Sequence, residues 1–298
     1  MSEHYEPSAH YEKQFSPEQR EALQQDAAQD MGELATELVI LAPEEGEPNA
    51  KQIVTEAKGE YDRQIENVID AIADDVNQAA GYISGHVEDM VVQLRAGQRN
   101  LSDTEDMLRS VVRYAEEGSP DSLRRLLNDA GDTLQSALRQ YVAAASESTS
   151  LHRYTAQKTE DTIEGAKQLR NTDTAFESFI VETEAQHPGE QALDGPFEGS
   201  RGAVVALHGA SNSLEEVSLT FAQASRTGDE HAVDIRASLN VIDGLAAEAA
   251  AGRLNPDDVR RVVTKINDVY NDTVLQGAFG SVGEKINAVR QTVTRLAQ

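Results

Sequence analysis

Between Val54 and Leu94, apolar residues return every eleven positions in three interleaved sets, for four repeats without a slip. The sets are Val54, Ile65, Val76 and Val87; Ala57, Val68, Ala79 and Met90; and Tyr61, Ile72, Ile83 and Leu94. The spacing is 3-4-4, a hendecad. Eleven residues in three turns is about 3.67 per turn, so an ordinary α-helix keeps this stripe nearly straight along one side. The pattern predicts one helix from about Asn49 to Ala96, roughly 70 Å long at 1.5 Å per residue, with a partner along its whole length. Gly59, Gly81 and Gly85 lie inside the stripe without breaking it, and Gly97 is the expected stop.

The same spacing returns after Ser119-Pro120, in Leu123, Leu127, Ala130, Leu134, Leu138, Tyr141 and Ala145. Matching periods make the two segments candidates to lie side by side, antiparallel. Between them, Ser102 and Glu105 read as a capping box for a short separate helix ending near Gly118. Beyond Ala145 the stripe weakens through Ser146-Glu-Ser-Thr-Ser150 and resumes at Ile163, Ala166, Leu169, Phe176 and Ile180. The sequence leaves open whether 120–186 is one helix or two.

Upstream, residues 1–15 read as a disordered acidic tail with a small repeat, His4-Tyr5-Glu6 and His10-Tyr11-Glu12. Ser16-Pro17-Glu18-Gln19 starts a helix that carries Met31, Leu34, Leu38 and Leu41 on one face and stops before Pro43. Downstream, His187-Pro188-Gly189 to Gly199 reads as a linker. Three helices are expected after it, near 201–226, 229–251 and 256–297, the last capped by Asn255-Pro256. Its end carries a heptad seam, Phe279, Val282, Ile286, Val289, Val293 and Leu296. Because this seam differs in period, a charge at Ile72 or Ile83 is expected to disrupt the N-terminal helices and spare the last one.

These readings give an all-α fold: an elongated helical bundle with long antiparallel, coiled-coil-like helices over 16–187, a linker at 188–200, and a C-terminal helical segment over 201–298. Composition agrees. Only 14 of 298 residues are aromatic and none is Trp, which suits helices packed through Ala, Val, Ile and Leu.

Composition also narrows the chemistry. There is no Cys, which excludes disulfides, thiolate catalysis and Cys-ligated metal centres. The formal charge is −26, with 7 Lys against 19 Arg; such a field repels nucleic acid and anionic lipid. The Lys-poor acidic balance suits a high-salt cytoplasm as well as an ordinary acidic protein. No apolar signal segment opens the sequence, and the longest apolar runs, such as Leu38 to Ala42, are far too short to span a bilayer. A cytoplasmic protein is the expectation.

No catalytic, cofactor or metal constellation emerges. Gly277, Gly280 and Gly283 recur every third residue, but a phosphate loop follows a strand, and a helical pattern precedes them. They read as a flattened helix face, a hinge or a hairpin tip. The one Glu-x-x-His spacing, Glu184 to His187, lies at a helix end, where a di-metal bundle needs two such pairs. His152, on the extended seam, reads as a packing residue sensitive to pH or as a partly exposed filler. Acidic pairs such as Asp74-Asp75 and Glu88-Asp89 lie off the seam, as a solvated face does.

The expected function is therefore non-enzymatic: a structural or interaction protein whose long helices align or assemble a protein partner or further copies of itself. A membrane-surface bundle is the alternative. Helices of that kind carry basic residues beside the apolar face, whereas residues 51–100 hold nine acidic and five basic side chains. A helical-bundle metal protein or enzyme is the third reading.

Overall fold

A computed structural model describes residues 48–297. The tail and the helix expected over residues 1–42 lie outside the described residues. The described chain is all-α, with five helices and no strand. They are α1, Ala50–Tyr114; α2, Pro120–Gln186; α3, Arg201–Ala250; α4, Pro256–Asn271; and α5, Val274–Leu296.

The starts follow local chemistry. Asn49 accepts from Gln52 N at 2.9 Å while Gln52 accepts from Asn49 N at 3.1 Å, a reciprocal cap for α1. Ser119 Oγ accepts from Ser122 N at 3.2 Å, with Pro120 as the first residue of α2. Asn255 Oδ1 accepts from Asp257 N at 3.1 Å, with Pro256 opening α4.

Several boundaries differ from the sequence reading, and packing accounts for them. Helix α1 runs through Gly97 and absorbs the short helix expected from Ser102. A Cβ at Gly97 would lie 3.0 Å from the Tyr141 ring, so this glycine admits a close neighbour rather than ending a helix. Glu105 holds Arg109 at 2.6 Å and caps nothing. Helix α2 is single: Ser148, Thr149 and Ser150 each donate to the carbonyl four residues back, at 2.8, 3.1 and 3.2 Å, so their hydroxyls are satisfied within the helix. Helix α3 is also single, with Gly228 packed on Ala145. The segment 256–297, expected as one helix, is two. Asp272 ends α4, and its Oδ1 accepts from Val274 N at 2.8 Å to start α5.

The chain divides into two compact units. The smaller comprises, among the described residues, 48–66 and 169–200; the larger comprises 67–168 and 201–297. The segment 188–200 belongs to the smaller unit.

In the larger unit, the partner numbers establish the topology. Asp75 meets Lys158, Tyr82 meets Tyr154, His86 meets Glu147 and Asn100 meets Gln140, so α1 and α2 are antiparallel. Tyr141 meets His231, Thr149 meets Ser225 and His152 meets Ser218, so α2 and α3 are antiparallel. Phe221 meets Phe279 and Glu216 meets Lys285, which runs α5 against α3. Gln98 with Gln276 and Asn77 with Thr294 close the ring between α5 and α1. The result is four columns with antiparallel neighbours, α4 and α5 sharing the fourth. One continuous apolar core joins all of them, from Ile83 and Leu94 through Leu134 and Phe221 to Phe279 and Val293.

In the smaller unit, Ala50, Val54, Ala57 and Tyr61 of α1 pack with Phe176 and Ile180 of α2 and with Ala192 of the following loop. Tyr61 stacks on Phe176 at 4.6 Å, and Phe197 closes edge-on at 5.3 Å.

Candidate functional site

The seam residues read from the sequence are buried or half-buried throughout. Val54, Ala57 and Tyr61 enter the core of the smaller unit, with Ile65 against it. Val76, Ile83, Val87, Met90 and Leu94 enter the core of the larger unit, and Ile72 packs against it. Ala79 is buried and Val68 half-buried. Leu123, Leu127, Leu134, Leu138 and Tyr141 are all in the larger core. The α1 and α2 seams thus meet within one chain.

Gly277, Gly280 and Gly283 lie inside α5, and a Cβ at any of them would meet nothing within 4 Å. They flatten no packed face, and the break in their column comes earlier, at Asp272. Glu184, exposed at the end of α2, is taken up by a backbone group: its Oε1 accepts from Ala192 N at 3.1 Å. No group of three or more His, Asp or Glu among the described residues is placed to hold a metal ion.

The segment 188–200, read as a linker, is strapped to the helices of its own unit. Glu190 Oε2 accepts from Ala50 N at 2.7 Å, and Lys51 pairs with Asp194 at 2.6 Å. Asp173 anchors the far end. It accepts from Tyr61 Oη at 2.6 Å, from Ser200 N at 3.0 Å and from Ser200 Oγ at 2.9 Å. Gly199 has φ +58, and a Cβ there would lie 2.8 Å from Asp173 Oδ2; only glycine provides both the turn and the room. Burial, then the bond to the Asp173 carboxylate, pushes the Tyr61 phenol far above its usual range. Between the end of α2 and this loop lies an open groove of about 490 Å³ edged by Ile180, Val181, Leu193 and Phe197, with Glu177 and Glu184 beside them.

Polar groups inside the larger unit are mostly tied to one another. Lys158 pairs with Asp75 at 2.7 Å and lies 5.9 Å from the Tyr154 ring centre. His152 Nδ1 is 2.9 Å from the Ser218 carbonyl, and Ser218 Oγ is 3.1 Å from the His152 carbonyl. With the proton on Nδ1, each side chain donates to the other's backbone, which locks α2 to α3. His152 is thus a packing residue with a defined partner. His231 Nε2 lies 3.2 Å from Asp272 Oδ2, with its ring edge-on to Tyr141. Burial, then the Asp272 charge, pushes the Tyr141 phenol up to about 12.

The sequence reading missed the outward face of α3. Val205, Leu219 and Val233 are 66%, 60% and 60% exposed. They recur every fourteen residues, about 40° short of four turns, so they lie along the solvent side about 21 Å apart in a slowly winding strip. The signal was present as apolar residues at a fixed interval off the main seam, but the stronger core periodicity of α3 concealed it. A shallow groove of about 750 Å³ runs beside the strip, lined by Ala222, Ser225, Arg226, Asp229, Glu230, Val233 and Asp234.

Comparison with protein-family models, with curated proteins and with solved structures finds no match for the chain.

Proposed function

We propose that this protein is a non-enzymatic helical scaffold that works through protein–protein contact between helix faces, with other proteins or with further copies of itself. The observation that carries this reading is the α3 strip. The seams of α1, α2 and α5 are consumed inside the bundle; single apolar residues such as Val92 and Val181 are exposed elsewhere, and in α3 three of them, Val205, Leu219 and Val233, recur at a regular interval. Apolar side chains aligned on one solvent face, rather than scattered singly, favour a partner. Within the larger unit, the polar groups tied between columns support a firm presentation of such a face.

Binding at a lipid surface is the competing class. No described helix is long and apolar enough to cross a membrane. A surface-bound helix needs a wide free apolar face with basic flanks, and in α1 the apolar face is the buried seam. The deciding measurement combines light scattering on the purified chain, affinity capture from the native host and liposome flotation. Self-association or a reproducible stoichiometric protein partner, with no flotation, supports the scaffold. A monomer that captures nothing and floats with vesicles overturns it.

A further inference from the structure

We infer that α3 pairs with the α3 of a second copy, antiparallel and centred on Leu219; this rests on the scaffold reading and specifies its partner. The strip is symmetric about its own middle. Val205 lies fourteen residues before Leu219 and Val233 fourteen after. A two-fold axis through Leu219 therefore places Leu219 on Leu219, and Val205 of each copy on Val233 of the other. Each Val205 then meets the shallow groove that Val233, Arg226 and Glu230 line.

The polar residues on the same face disfavour two of the alternatives, and a shift that sets Leu219 on Val205 leaves Val233 without an apolar partner. Centred on Leu219, Asn212 faces Arg226 and Glu215 faces Gln223, with no like charges opposed. Arg226 of each copy comes within a turn of Glu215 and Glu216 of the other. A parallel pairing sets Arg226 against Arg226, Glu215 against Glu215 and Glu230 against Glu230. An antiparallel pairing shifted by half the interval, with Leu219 on Val233, again opposes Arg226 to itself. Like charges at close range disfavour both.

Val205 and Val233 lie 28 residues apart, about 42 Å along the helix. A strip about 10 Å wide over that length covers roughly 400 Å² on each copy, about 800 Å² in all and below the roughly 1,000 Å² of a stable interface. The pairing is accordingly weak and reversible, populated at high local concentration.

A chain without cysteine makes the test direct. Under mild oxidation of the full chain, Leu219→Cys forms a disulfide-linked dimer, because position 219 sits on the axis. Asn212→Cys alone does not, since its two copies lie about 21 Å apart along the helix. A mixture of Asn212→Cys and Arg226→Cys chains does. Val92→Cys, exposed on α1, gives the rate of random collision. In sedimentation velocity, Leu219→Asp keeps the parent's helical circular dichroism and self-associates at least about tenfold more weakly, as loss of two buried leucines requires. Cross-linking of Leu219→Cys no faster than Val92→Cys overturns the proposal, as does Asn212→Cys linking to itself as fast as Leu219→Cys. If the parent stays monomeric but captures a defined host protein, self-pairing fails and the scaffold stands. If it captures nothing as well, both fail.

Discussion

Gly228 and Gly280 are both glycines inside helices, and their surroundings give them opposite roles. A Cβ at Gly228 would lie 2.9 Å from the Ala145 Cβ, which neither backbone can move aside cheaply. Gly228→Leu should destabilise the protein by about 1–3 kcal/mol through overpacking. Gly280 is exposed on α5 with nothing within 4 Å of that position. Gly280→Ala should stabilise by about 0.5–1 kcal/mol, since alanine loses less backbone entropy in a helix. Urea unfolding of the two variants checks both signs, and a destabilised Gly280→Ala would show that α5 needs the glycine. Tyr141 supplies a pH test at the same scale. Its phenol ionises near 10.0 when unfolded and at about 12 when folded. Below pH 10 both states hold the proton and the stabilisation is complete. Between those values the unfolded chain sheds it first, so stability falls as pH rises, by about 2–3 kcal/mol in all. Tyr141→Phe has no such proton. Its urea midpoint should fall less than the parent's between pH 9 and pH 11.5, and parallel curves would contradict the assignment.

At the scale of elements, the seams and the caps were legible and the breaks were not. Asn49, Ser119-Pro120 and Asn255-Pro256 each start a helix where local chemistry places a start. Gly97, Ser102, the Ser/Thr run at 146–150 and Gly228 looked like interruptions, yet all lie inside helices. Their meaning depends on what stands opposite: Tyr141 for Gly97, Ala145 for Gly228, Ser225 for Thr149. No single-helix pattern contains that information. The break at Asp272 was invisible for a related reason, since an aspartate ends a helix only where its side chain can take up the next backbone N–H. The outer strip of α3 was readable in principle, as an interval of fourteen. The largest consequence concerns the last helix. Its heptad suggested independence from the N-terminal seam, but Ile83 shares one core with Phe279, Val282 and Ile286. Ile83 is fully buried, and Ile83→Ala should cost about 2–5 kcal/mol. Ile83→Asp should unfold α5 together with the facing stretch of α1. Hydrogen exchange tests this: loss of amide protection in α1 with full protection kept in α5 would restore two independent seams.

At the scale of the whole molecule, a charge of −26 on 298 residues acts on folding and association in the same direction. Folding brings the carboxylates closer together, so their mutual repulsion opposes the native state. The Debye length falls from about 30 Å at 0.01 M salt to about 10 Å at 0.1 M, so most of the screening of this repulsion sets in between those two concentrations. The melting temperature should therefore rise by roughly 5 °C or more between 0.01 M and 0.1 M sodium chloride, equivalent to about 1–3 kcal/mol for a domain of this size. Pairing through α3 faces the same field, because two bodies of like sign must approach. An interface held mainly by cross-chain ion pairs weakens as salt rises. Here Leu219, Val205 and Val233 supply the attraction, and Arg226 offsets only a small part of the total negative charge. Self-association should accordingly strengthen with salt over the range in which the fold stabilises. Sedimentation velocity at fixed protein concentration and stepped salt reads this directly. Dimer that declines as salt rises would mean that ion pairs, rather than the apolar strip, hold the copies together.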